Sequence, residues 1–183
     1  MSQLNENNLI DRCRMGESAA FGPLIKLYKN RLFSYLLKIS RDKNLADDML
    51  QETLIKVWDG FSNYSEQNRF SSWLFSIAHN TAMDSLRKNT RRNIFDTSSE
   101  PDTLSSPVNP YMDLVGKETS QRISNAVDQL SLKQKEVFLL RVHGEMTFKE
   151  ISKLTGEPLN TVLSHMHYSV KKLRKILRYV NAE

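Results

Sequence analysis

The chain has 183 residues, 26 Lys and Arg against 21 Asp and Glu, and a formal charge of +5; six glycines and five prolines are too few for a loop-rich β protein. One cysteine, Cys13, excludes an internal disulfide framework, and no apolar run approaches the ~18 residues of a membrane span. The opening Met-Ser-Gln-Leu-Asn-Glu-Asn-Asn lacks the basic start and apolar core of a secretion signal, so a cytoplasmic protein without membrane insertion is expected.

The first helix is expected from Leu9 to Met15, stopped by Gly16. Cys13 lies in it between Arg12 and Arg14; with no nucleophilic constellation nearby it reads as a helix residue rather than a reactive thiol. Ser18 is the expected N-cap of a second helix. That helix turns Phe21, Leu24, Ile25, Tyr28, Leu32, Tyr35, Leu36 and Ile39 inward and Lys26, Lys29, Arg31 and Lys38 outward. Asn44 followed by Asp47 suggests the next N-cap. The third helix then runs to Trp58, with Leu45, Met49 (or Leu50), Leu54 and Val57 buried and Asp47, Asp48, Gln51 and Glu52 exposed. These carboxylates have no third partner at metal-ligand spacing, so they read as a solvated cap or a docking surface.

Residues 60–68 lack helical period; their polar and aromatic mixture suits either an unstacked base or an inert loop. The stretch Arg69–Arg92 is one long helix, with Phe70, Trp73, Leu74, Ile77, Ala78, Thr81, Ala82, Ser85 and Leu86 forming its apolar stripe. Its opposite face is expected to carry Ser72, Ser76, His79, Asn80, Met83, Arg87 and Arg91. Such a helix begins aromatic and ends basic, the pairing that grips single-stranded nucleic acid, although a core helix with a solvated end fits the same residues.

Three prolines, several Ser and Thr, and an excess of acids mark residues 93–119 as a flexible linker. Charge follows this division: residues 61–92 hold five basic and two acidic side chains, 93–120 one and five, and 121–183 eleven and six. Helices are then expected over Ser120–Leu130 and Leu132–His143. Thr147-Phe-Lys-Glu150 matches a capping box opening a short helix that stops at Gly156. Pro158 starts another, with Val162, Met166, Val170, Leu173 and Leu177 inside. Two short helices about a Gly turn form a helix-turn-helix pattern. Lys171, Lys172, Arg174, Lys175 and Arg178 make its far end strongly cationic. His165 and His167, two apart, do not share a helix face, so no zinc site is expected. No Gly-rich phosphate loop or nucleophile–base arrangement appears, so no enzyme and no cofactor is expected.

These pieces, in this order, resemble the extracytoplasmic-function (ECF) class of the sigma-70 family of bacterial RNA polymerase sigma factors. The blocks that carry the resemblance are Ala20-Phe21-x-x-Leu24-x-x-x-Tyr28, Ala46-Asp47-Asp48-x-x-Gln51-Glu52 with Trp58, and Phe70-x-x-Trp73-Leu74-x-x-Ile77-Ala78-x-Asn80-x-x-x-Asp84-x-x-Arg87. The last is Gln134-x-Glu136-Val137-Phe138-x-Leu140-Arg141 followed by Gly144, Glu150-Ile151, Gly156 and Thr161-Val162-x-Ser164. The resemblance implies an all-α fold of two small helical domains: a region 2 bundle over 1–92, a linker over 93–119 and a region 4 helix-turn-helix over 120–183.

It also implies roles. Asp47, Asp48, Gln51 and Glu52 would dock on core RNA polymerase. Asn63, Tyr64, Phe70, Ser71, Trp73, His79, Asn80 and Asp84 would capture the opened −10 element around a flipped base, with Arg87, Lys88, Arg91 and Arg92 on phosphates. For the −35 element the residues would be Arg141, Thr147 and Lys149, then Asn160, Thr161, Ser164, His165, His167, Tyr168, Lys171 and Lys172 on and around the recognition helix. Partners would be core polymerase, promoter DNA and an anti-sigma factor. Two departures stand out: the family often has Gly at Asn160 and basic residues at Leu163 and His165. Asn can read adenine bidentately, so an altered −35 preference is expected. His165 is expected to strengthen −35 binding as pH falls from about 7.5 to 6. A helix-turn-helix regulator, or a sigma mimic that does not bind polymerase, remains the alternative.

Overall fold

The computed structural model describes residues 2–65, 69–95 and 114–180. Among them are eight α-helices: α1 (Ser2–Arg14), α2 (Ser18–Ser40), α3 (Lys43–Gly60), α4 (Phe70–Phe95), α5 (Leu114–Asp128), α6 (Leu132–Val142), α7 (Phe148–Thr155) and α8 (Leu159–Val180). They form two compact units, α1–α4 and α5–α8, each with its own core.

In the first unit α2 and α3 pack on each other and on α4. The inner side of α2 is as its periodicity predicts, with Leu24, Leu32, Tyr35 and Leu36 fully buried and Phe21 half-buried. α1 is longer than expected, opening at Ser2 rather than Leu9. Leu9, Ile10 and Cys13 dock it, and a docked helix extends at one hydrogen bond per added residue. The Tyr28 hydroxyl also donates to Glu6 on that added stretch.

Helix starts differ from expectation where a charged neighbour competes. α2 begins at Ser18 itself; Glu17 holds the N-cap position, makes no side-chain cap bond, and pairs with Arg12 at 2.7 Å instead. α3 begins at Lys43, with Asp42 rather than Asn44 as its N-cap, because the Asp42 carboxylate accepts the Leu45 N–H at 3.0 Å. Its buried face is Ala46, Met49, Leu50, Thr53 and Val57, so Leu45 and Leu54 lie at the margin. Thr53 is buried without penalty because its hydroxyl donates to the Met49 carbonyl at 2.6 Å.

The segment after α3 is a 3₁₀ turn, Phe61–Asn63, not a structureless loop. α4 continues to Phe95 and α5 opens at Leu114, six residues before the expected start. Residues 96–113, most of the expected linker, lie outside the described residues.

The second unit is built on Ala126, Val127, Leu130, Val137, Leu139, Leu140, Met146, Ile151, Val162 and Leu173. The capping box forms as predicted: the Glu150 N–H reaches Thr147 Oγ1 at 3.2 Å, and the Thr147 N–H reaches Glu150 Oε2 at 2.6 Å. Gly156 ends α7 at φ +71°, a left-handed conformation that disfavours side chains. α8 starts with the Pro158 carbonyl accepting from Val162 N–H at 3.1 Å.

Candidate nucleic-acid and protein-docking surfaces

Aromatic rings hold the junction between α3 and α4. Phe61 stacks on Phe70 at 5.6 Å between centroids and meets the Trp73 edge at 5.5 Å. Tyr64 lies 4.9 Å from Trp73 and 5.7 Å from Phe70. A β-carbon at Gly60 would sit 3.2 Å from the Trp73 ring, so the glycine permits this close approach. The rings fix where α4 begins relative to the outer face of α3.

Several residues expected to meet the −10 strand are inside this unit. Tyr64, Phe70 and Ser71 are buried, and His79 is 4 % exposed with Nδ1 3.1 Å from the Tyr35 hydroxyl. Ser72, expected on the outer face, is buried too, and Phe75, outside the predicted stripe, is fully buried. α4 is covered on more of its circumference than one stripe, because both α2 and α3 pack on it. The outward residues are the half-buried Trp73 and the exposed Asn80, Asp84, Arg87 and Lys88. Trp73, Asn80, Asp84 and Arg87 stand at i, i+7, i+11 and i+14, one side of a 3.6-residue helix, over ~21 Å. Arg87 is 71 % exposed at its side chain and 3.1 Å from Asp84. Asn63 is exposed at the preceding turn. Arg91 and Arg92 belong to the last turns of α4, and their side chains lie outside the described set.

On α3, Asp48 and Gln51 are exposed and Asp47 and Glu52 half-exposed. Asp48, Gln51, Glu52 and Ile55 share one helical face, and Ile55, which periodicity alone did not single out, is 62 % exposed. Glu52 pairs with Lys56 at 2.7 Å, and Lys56 also donates to Thr81 Oγ1 on α4 at 3.2 Å. Cys13 is buried; burial pushes its thiol up, against the pull of Arg12, which keeps it protonated and unreactive. Burial and then the bond to Glu6 push the Tyr28 phenol far up, so it stays a neutral donor.

In the second unit the expected residues divide into exposed and structural. Asn160, Ser164, His167, Tyr168, Lys171 and Lys149 are exposed and Thr161 is half-buried. Thr147 is spent largely on the cap. Arg141 donates to the Met146 carbonyl at 2.9 Å and lies over the Phe148 ring at 5.3 Å, so it braces the entry to α7. Lys172 donates to the Gln129 carbonyl. His165 Nε2 stands 3.3 Å from Glu157 Oε2, off-axis for a hydrogen bond but close enough for charge pairing.

This pair belongs to a cluster that sequence reading missed. Lys133 Nζ lies 3.2 Å from Glu136 and 3.1 Å from Glu157. Burial raises the Glu136 carboxyl pKa despite the nearby Lys133. Burial would lower Lys133, but bonding to Glu157 and the Glu136 charge raise it on balance. The cluster ties the turn before α8 to α6. Among the described residues no three His, Cys, Asp or Glu side chains converge as metal ligands, and no helix is long and apolar enough to cross a membrane.

Two family models match the chain: Sigma-70 region 2 over residues 24–92 and Sigma-70 region 4 over residues 120–173. The chain belongs to the sigma-70 family of RNA polymerase sigma factors. Its relatives place it in the ECF class. It is 27% identical over 177 residues to the ECF RNA polymerase sigma factor SigW of Bacillus subtilis, covering 92% of this chain and 95% of that one. It is 29% identical over 174 residues to the RNA polymerase sigma factor CarQ of Myxococcus xanthus, covering 95% and 98%. The fold is similar to that of the sigma factor RpoE in complex with the anti-sigma factor NepR from Bartonella quintana, with TM-score 0.70, 21% identity and coverage of 86% and 96%. It is also similar to CnrH in complex with the cytosolic domain of CnrY, with TM-score 0.64, 18% identity and coverage of 96% and 98%.

Proposed function

We propose that this sigma factor docks on core polymerase through the Asp48, Gln51, Glu52 and Ile55 face of α3, with Asp47 beside it. It engages the opened −10 strand along the Trp73–Arg87 side of α4 and the −35 element with α8. The observation that carries the reading is the α3 face itself. Three polar groups and an exposed isoleucine lie together while every buried residue of that helix points the other way. An apolar centre within a polar rim is the anatomy of a protein interface. Tyr64, Phe70 and His79 act here by positioning α4 rather than by touching bases.

The chain works by binding, with no catalytic step of its own, in the cytoplasm. The region 2 unit, the linker and the region 4 unit divide the work between docking with −10 capture, connection, and −35 binding. An anti-sigma factor is a further partner; the two similar structures above are complexes, one with an anti-sigma factor. The test is binding of the full chain to sigma-free core polymerase, with Asp48→Arg/Glu52→Arg as control. Tight binding lost in a folded double variant is expected; no binding by the wild type would leave a helix-turn-helix regulator or a mimic.

A further inference from the structure

The first two turns of α8 expose two leucines where a DNA-reading helix usually carries polar groups. Leu159 is 37% and Leu163 41% exposed. They are four apart and so neighbours on one side of the helix, and Asn160 and Ser164 follow them around the same outward surface. The Ser164 hydroxyl donates to the Asn160 carbonyl at 2.8 Å, so its proton is used and its lone pairs remain. Further along, Lys171, Arg174 and Lys175 are exposed, and α8 has no acidic residue from Leu159 to Val180.

An acid-free helix with cations at its far end and an amide at its start suits a DNA groove, where phosphates position the helix and its N-terminal residues meet base edges. The methyl group offered by base edges in the major groove is the C5-methyl of thymine. Asn160 and Leu163 stand three apart, ~5–6 Å between β-carbons, within the span of neighbouring base-pair steps.

We propose that Leu163, flanked by Leu159, packs on thymine methyl groups of the −35 element, so that α8 reads A·T steps through Asn160 on adenine and Leu163 on thymine. This rests on the assignment of α8 to the −35 element. It explains why the helix works without basic residues at its start: an Arg or Lys there would select guanine, whereas leucine gains from a thymine methyl and leaves any base-edge polar group it covers without a partner.

The experiment uses the full chain with core polymerase. Promoters are selected from a library randomised over the −35 element, and each selected thymine is then replaced by deoxyuridine, which lacks only the methyl group. One or two positions should lose about four-fold in affinity, the size of one buried methyl. Leu163→Ala should lose a similar factor on thymine DNA and become indifferent to the methyl at that position. Leu163 is exposed and alanine favours helix, so the variant should melt with the wild type; Leu159→Ala provides a second, weaker test. Equal binding of uracil and thymine at every position overturns the proposal. So does a Leu163→Ala variant that keeps full affinity, which would assign the leucines to a protein partner. A wild-type holoenzyme indifferent to a scrambled −35 element refutes the −35 assignment itself, and shows it before any uracil is introduced.

Discussion

Phe61→Ala tests whether the aromatic junction holds α4 in place. Phe61 is 2% exposed and its ring meets those of Phe21, Tyr64, Phe70 and Trp73. Truncating a buried Phe costs ~3–5 kcal/mol, a large share of the ~5–15 kcal/mol that stabilises a domain. Both tryptophans, Trp58 and Trp73, lie in the first unit, so tryptophan fluorescence in urea reports on that unit alone. With a urea slope of ~1.5 kcal/mol per molar, the midpoint should fall by roughly 2–3 M. Helicity measured by circular dichroism should then show a second, unshifted transition from the second unit. Phe61→Leu keeps most of the volume and should shift the midpoint by less than ~1 M. A fall below about 0.5 M for Phe61→Ala would refute the reasoning: the junction would then close over the cavity and the rings would not hold α4.

Arg87→Ala combined with Lys88→Ala should weaken open-complex formation and flatten its salt dependence by about 1.4 in log–log slope, ~0.7 for each contact to a single strand; an unchanged slope would mean that these cations only solvate the helix. Glu136→Gln should remove a pH dependence of the second unit's thermal stability. Burial raises the folded pKa of Glu136 above its ordinary 4.5, so between those two values the folded state holds more protons than the unfolded one. This group's contribution therefore falls as pH rises through that window. The variant should gain on the wild type with rising pH; melting curves with parallel pH slopes would show that burial does not raise the Glu136 carboxyl in the folded state.

Local signals were read correctly where the interaction is itself local. Thr147 and Glu150 satisfy each other within one helical turn, and Gly156 meets a conformational need of its own backbone. Errors arose where a partner lies far away in sequence. The Asn44 cap was displaced by Asp42 only two residues off, but Ser72, expected on the outer face of α4, is buried because two other helices pack there. His79 likewise reads as an outward residue, and Tyr35 on another helix takes it in. Nothing in the spacing of Lys133, Glu136, Glu157 and His165 announces that they meet, since two helices and a turn must first pack.

The sequence by itself determined the all-α class, the order of the helices and the helix-turn-helix pattern. Each of these follows from period, caps and charge within a few turns. Tertiary structure alone decided which sides of α4 are open. Two helices pack on it, so Ser72, Phe75 and His79, none of them on the predicted stripe, went inside, while Asn80 and Arg87 stayed on the surface as expected. Periodicity finds one apolar stripe, but the width of the buried face depends on how many neighbours cover the helix.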